Sequence, residues 1–271
     1  MGSTIDVLIT GSSSSISNDA VTVWVKNASG AVSHYFGKFP ISYVKISVRL
    51  AGSGRINDGV TDNDGIRIRL GKRTKQEDLN RDWVLVHEMC HLAFPDLDDQ
   101  YLWLREGLAS YLEPLARARV GMLREADVWK DVVEGMPQGE PEAGDHGLDV
   151  THTWGRTYWG GAMFCLLLDL QIREQTHNQK SIDDAMRAIL NQGGDRFSHW
   201  TIDHVIAAAD KATGTSAMRE LYDQMSHAQV QVDLQTVWKK LGINYHFGTI
   251  TFDDSAPLAA IRRSMTAEQS R

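Results

Sequence analysis

The chain has 271 residues, of which 42% are hydrophobic and 23% charged, ample for one large core or two small domains sharing an interface. Lys plus Arg is 28 and Asp plus Glu is 35, a net charge of −7 with no basic run, which argues against a nucleic-acid partner and its basic face. The longest apolar run, Ala162 to Leu168, ends at Asp169, short of the roughly 18 residues a membrane helix needs, so no membrane span is expected.

Met1-Gly2-Ser3-Thr4 carries neither a basic region nor an apolar signal core, and the Ser12 to Ser15 run is too short to be low complexity. Ile5 to Thr10 and Tyr43 to Leu50 are rich in β-branched residues, and the second alternates Val44, Ile46 and Val48 with Lys45, Ser47 and Arg49. Between them Asp19 to Tyr35 reads as a helix, stopped at Gly37-Lys38-Phe39-Pro40. Residues 51–65 are dense in Gly, Asn and Asp and read as loop. Ile66 to Leu70 alternates apolar and basic between Gly65 and Gly71, as an exposed edge strand would. Residues 1–73 are therefore expected to form a β-rich N-terminal lobe with 66–70 at its edge.

Helices dominate residues 74–271. Thr74-Lys75-Gln76-Glu77 reads as a capping box, and Leu79, Trp83, Val86, His87 and Cys90 follow with a 3.6-residue period until Pro95. Further helices are expected over 101–119, 125–134, 157–176, 182–190, 202–212, 216–226 and 234–241, with a long loop over 135–150. A strand at 249–252 and a last helix near Pro257 close the chain. The two cysteines, Cys90 and Cys165, lie in apolar helical contexts and read as small buried hydrophobes, with one buried disulfide as the alternative.

His87-Glu88-Met89-Cys90-His91 is an H-E-x-x-H motif inside one of these helices. Residues four apart share a helix face, so both imidazoles can reach one ion about 2.0–2.1 Å from each nitrogen. Glu88 lies about 100° round the helix, placed to serve a water on that ion without binding the ion itself. Fifteen residues past His91, Glu106 lies among apolar and small residues in Trp103-Leu104-Arg105-Glu106-Gly107-Leu108, where a carboxylate is costly to bury without a cation. Two imidazoles and a carboxylate are a standard catalytic zinc set.

The H-E-x-x-H followed by W-L-R-E-G-L-A-S-Y resembles the gluzincins, the clan of thermolysin and aminopeptidase N. Thr157-Tyr158-Trp159-Gly160-Gly161, running into Leu167-Leu168-Asp169-Leu170-Gln171-Ile172-Arg173, is similar to the glycyl aminopeptidase-like branch. The resemblance implies an α+β, gluzincin-type catalytic unit, with an N-terminal mixed sheet lobe, a mainly helical lobe and the zinc site between them. It also implies a metallopeptidase acting on peptide or protein substrates with one Zn2+ per chain, held by His87, His91 and Glu106. Glu88 would then be the general base for attack of zinc-bound water, and Tyr158 would stabilise the oxyanion. An extracytoplasmic location, periplasmic or secreted, comes with the resemblance, while the residues leave a cytoplasmic one open. The Gly-x-Met-Glu-Asn segment by which aminopeptidase N binds a free amine is absent, its place upstream taken by the Gly-rich stretch 52–65, which leaves endo- against exopeptidase open.

Ile66 and Ile68 are candidates for pairing with an extended substrate backbone, Trp103 and Trp159 for lining the cleft, and His152 and Arg156 for contacting substrate. Asp82 and Asp169 are candidates for orienting the ligating histidines, and Ser110 for supporting Glu106. Two other functions fit the same motif: a catalytically silent zinc-containing module that binds peptides or partners, and a zinc hydrolase of a non-peptide substrate.

Overall fold

A computed structural model describes residues 2–13 and 15–268, so Met1 of the N-terminal start, Ser14 of the serine run and residues 269–271 lie outside the described residues. The chain opens with β1 (Thr4–Gly11), α1 (Asn18–Phe36), β2 (Tyr43–Leu50), β3 (Ile56–Asp62) and β4 (Gly65–Leu70). Ser17 accepts a hydrogen bond from the Ala20 amide at the start of α1, and Gly37, at φ 78°, ends it in a left-handed turn. The face of α1 carrying Val21, Trp24, Val25, Ala28 and Val32 is buried.

The sheet has the order β1-β2-β4-β3. β1, β2 and β4 run parallel, with Ile46 opposite Ile66 and Val48 opposite Ile68, all buried in the core, and β3 returns antiparallel to β4. Two expectations are corrected here. Ile66 to Leu70 is an inner strand, paired on both sides, so its alternation reflects a core face and a basic outer face. Part of the stretch read as loop, Ile56–Asp62, is the edge strand instead; its Asn, Asp and Gly residues hid it, and pairing with β4 makes it.

The helical part comprises α2 (Gln76–Arg81), α3 (Val84–His91), α4 (Leu102–Arg119), α5 (Glu125–Gly135), α6 (Gly161–Gln175), α7 (Ile182–Asn191), α8 (Ile202–Thr213), α9 (Ala217–Met225) and α10 (Leu234–Leu241). A hairpin of β5 (Ile243–His246) and β6 (Thr249–Phe252) and the helix α11 (Ala259–Thr266) follow. The single periodic stripe expected through Leu79 to Cys90 is two helices. Asp82, extended at ψ 138°, breaks the chain, and its carboxylate accepts from the Val84 and Leu85 amides to start α3 afresh. The cap before α2 also differs: the Asp78 carboxylate accepts from the Lys75 amide, while Thr74 donates to the Gly71 carbonyl.

One hydrophobic core runs from α1 and the sheet through α3, α4 and α6 to α11. Cys90 and Cys165 are buried in it as free thiols. Among the described residues no helix is long and apolar enough to cross a membrane.

Candidate metal centre and cleft

α3 is an eight-residue helix whose buried side includes Leu85, Val86 and Met89, which fixes the rotation of His87, Glu88 and His91 about its axis. α4 packs beside α3 and carries Glu106 in its second turn. Gly107 governs how α4 meets α6, since a Cβ there would stand 2.2 Å from the Gly161 carbonyl carbon. Only glycine lets the two backbones touch, and that contact sets Glu106 and Tyr158 side by side. Tyr158 lies in a π-helical turn over Arg156–Gly160 that leads into α6, a local widening often found at functional sites.

The result is a cluster in which donor atoms of His87, His91 and Glu106 all lie within 4.8 Å of one another. Glu106 Oε2 is 3.2 Å from His87 Nε2 and 3.5 Å from His91 Nε2. Two ligands about 2.0–2.2 Å from a tetrahedral ion stand about 3.3–3.6 Å apart, so this spacing fits one zinc-sized ion. The charge pattern fits as well. Burial lowers the pKa of His87 against the pull of Glu106, favouring the neutral ligating imidazole. Burial would raise the Glu106 carboxyl, but its hydrogen bonds to His87 and His91 outweigh that and hold it well below the usual carboxylate range.

Glu88 is buried next to this cluster, and the Thr61 hydroxyl lies 2.7 Å from Glu88 Oε2 and 2.9 Å from the Glu88 carbonyl oxygen. Gly59 lets β3 come this close: a Cβ there would fall 2.7 Å from Glu88 Cγ and from Val84 Cγ1. Tyr158 stacks 6.4 Å from the His87 ring, with Trp154 stacked 5.6 Å beyond it, and Trp83 meets His87 edge-on at 5.5 Å. Burial, then the charges of Glu106 and Glu88, raise the Tyr158 pKa, so its hydroxyl keeps its proton at neutral pH. These groups face a cleft of about 400 Å³, walled on one side by residues 58–61 of β3.

The structure brings His87, Glu88, His91, Glu106 and Tyr158 to one cleft, and it places the remaining candidates elsewhere. Ile66 and Ile68 are buried under the sheet. Trp103 is buried, with its indole N–H donating to Asp149 at 2.8 Å. Arg156 is buried against Asp145 at 2.8 Å and donates to the Gly139 carbonyl. The Trp159 ring lies over Gly135, and His152 is exposed to solvent outside the cleft lining. Asp82 is engaged by the α3 amides, and Asp169 accepts from Tyr111, Arg173 and the Ile182 amide, so neither orients a ligand histidine. His87 Nδ1 is buried with no partner among the described residues. The cleft is lined instead by Trp83, Trp154, Thr61, Phe94, Arg105 and Arg196. Trp154, four residues before Tyr158, and Trp83, four before His87, were findable from sequence by helical spacing.

The fold is similar, at low sequence identity, to those of solved aminopeptidase N family and M1 zinc metallopeptidase structures. An aminopeptidase N family protein from Idiomarina loihiensis is similar over 89% of this chain and 48% of its own, with a TM-score of 0.68 and 14% identity. The M1 zinc metallopeptidase from Deinococcus radiodurans is similar over 83% of this chain and 48% of its own, at TM-score 0.54 and 15% identity. A mutant of that protein bound to a Tyr-Ser-Ala substrate gives TM-score 0.53 and 14% identity, over 83% and 48%. The chain thus spans about half the length of these structures. No protein-family model matches the sequence, and no curated protein does.

Proposed function

We propose that this chain is a zinc metallopeptidase in which His87, His91 and Glu106 hold one Zn2+, Glu88 is the general base and Tyr158 stabilises the oxyanion. The observation that carries the reading is the convergence of three ligand atoms within 4.8 Å, with Glu88 and Tyr158 facing the same cleft. The fold shared with zinc aminopeptidases supports it, as does the tripeptide held by one of them.

Held by His87, His91 and Glu106, a zinc ion would lower the pKa of a bound water towards about 7 and polarise a carbonyl. Thr61, at hydrogen-bond distance, holds the Glu88 carboxylate to β3, so one carboxylate oxygen is oriented before substrate arrives. Glu88 takes the proton from the attacking water and delivers it to the departing nitrogen. The Tyr158 hydroxyl donates to the oxygen that becomes negative, and losing one such donor costs about 10²–10³ in rate. An extended substrate finds its pairing edge on β3, because β4 is enclosed on both sides.

The test is hydrolysis of a mixed peptide library by wild-type and Glu88→Gln protein, with zinc measured on both. One zinc per chain in each, and cleavage by the wild type alone, is the expected result. Zinc in both without cleavage would favour a binding module or a non-peptide substrate, and no zinc in either would end the reading.

A further inference from the structure

Past His91 the cleft reaches a wall built by two guanidinium groups. Arg105 precedes Glu106 on α4, Arg196 comes from the loop between α7 and α8, and both line the cleft. That loop is tied to the segment following α3. The Arg196 amide donates to the Leu92 carbonyl at 3.3 Å, the Asp96 amide to Ser198 at 2.8 Å, and the Trp200 amide to Asp96 at 3.1 Å. The two side chains meet on one oxygen, because Nη1 of Arg105 and Nη1 of Arg196, the latter at 2.9 Å, both donate to Asp96 Oδ1.

This leaves charge and donors over. A guanidinium carries five N–H groups, and Asp96 is the side-chain partner of both arginines among the described residues. The other carboxylates lining the cleft, Asp58, Glu88 and Glu106, face Arg69, Thr61 and the two histidines respectively, so Asp96 is the one carboxylate paired with these two guanidinium groups among the described residues. The neighbouring Asp98 faces His199 at 3.5 Å and is itself exposed, so it does not offset the second. The two side chains are only 22% and 18% exposed, where an unmatched cation is costly and a planar anion is well received.

We propose that Arg105 and Arg196 form a carboxylate-binding subsite beside the metal ligands, so that this protein selects peptides presenting a carboxylate there. The carboxylate comes from an acidic side chain or from the C-terminus of a short peptide. For turnover the proposal rests on the peptidase reading; for binding it does not.

The experiment uses peptides identical except for Glu against Gln, and for a free against an amidated C-terminus. Binding is measured on the zinc-loaded Glu88→Gln protein and turnover on the wild type. The carboxylate member of one pair is expected to bind about tenfold tighter, the effect of one charge-assisted hydrogen bond at a partly exposed site. Whichever pair shows the difference identifies the source of the carboxylate. Arg196→Gln should abolish the preference, Arg196→Lys should retain part of it, and Asp96→Asn should enlarge it by freeing the fork, which misfolding cannot mimic. Equal binding of both members of every pair, or a preference indifferent to Arg196→Gln, would overturn the subsite. A binding preference without turnover would leave the subsite standing and remove the peptidase reading; turnover without preference would do the reverse.

Discussion

Gly107→Ala tests how the site is assembled. The added methyl would stand 2.2 Å from the Gly161 carbonyl carbon, 2.4 Å from its Cα and 2.7 Å from the Ala162 nitrogen. All three are backbone atoms, so no side chain can turn aside. Restoring the 3.4 Å of an ordinary short contact requires α4 and α6 to part by about 1.2 Å at this point. Overpacking costs about 1–3 kcal/mol, and backbone against backbone belongs at the upper end. For a chain of this size about 3 kcal/mol lowers Tm by roughly 6–12 °C. Metal ligands tolerate displacements of only about 0.2 Å, so under the proposed ligation Glu106, the adjoining residue, should leave the set and zinc affinity should fall as well. Scanning calorimetry and competition with a zinc chelator read the two effects. Gly30→Ala is the control: that site is exposed in α1 with nothing within 4 Å of an added Cβ, and the change should stabilise by about 0.5–1 kcal/mol. A Gly107→Ala protein with wild-type Tm and zinc affinity would refute the packing argument.

Two other substitutions bear on single interactions. Thr61→Val keeps the shape of β3 but removes the hydroxyl 2.7 Å from Glu88 Oε2; kcat should fall about tenfold, with Thr61→Ser restoring most of it and zinc content unchanged. An unaltered kcat would show that Glu88 is oriented by other contacts. Glu113 concerns stability: burial pushes its carboxyl from 4.5 up to about 7 despite Arg117 at 2.6 Å. The folded chain therefore holds this proton longer than the unfolded one, and the associated stability is present below about 4.5 and lost as pH rises through about 7. Glu113→Gln should flatten urea-unfolding stability across that window by up to about 1.4 kcal/mol per pH unit, and an unchanged slope counts against the shift.

Much of this protein follows from local pattern. The alternation of Val44, Ile46 and Val48 specified β2, and the four-residue spacing of His87 and His91 specified a shared helix face before any fold was known. Both rest on the fixed periods of strand and helix, which need only neighbouring residues. The same reasoning misled where neighbours in sequence diverge in space. Arg156 and Trp159 flank Tyr158, but helical neighbours point in different directions, so they pack against Asp145 and Gly135 while Trp154 shares the cleft.

What the sequence by itself determined is the place of β1, β2, β4 and β6, most of the helix bounds and the shared helix face of His87 and His91. Tertiary structure alone decided that Ile56–Asp62 is the sheet edge, that Gly59 seats it on Glu88, that the Gly107–Gly161 contact brings Tyr158 beside Glu106, and that Arg105 and Arg196 converge on Asp96. Gly59 on Glu88, Gly107 on Gly161 and Arg196 on Asp96 join segments well separated along the chain, and the edge position of β3 depends on β2 and β1 lying on the far side of β4, so no periodicity within one segment encodes its partner.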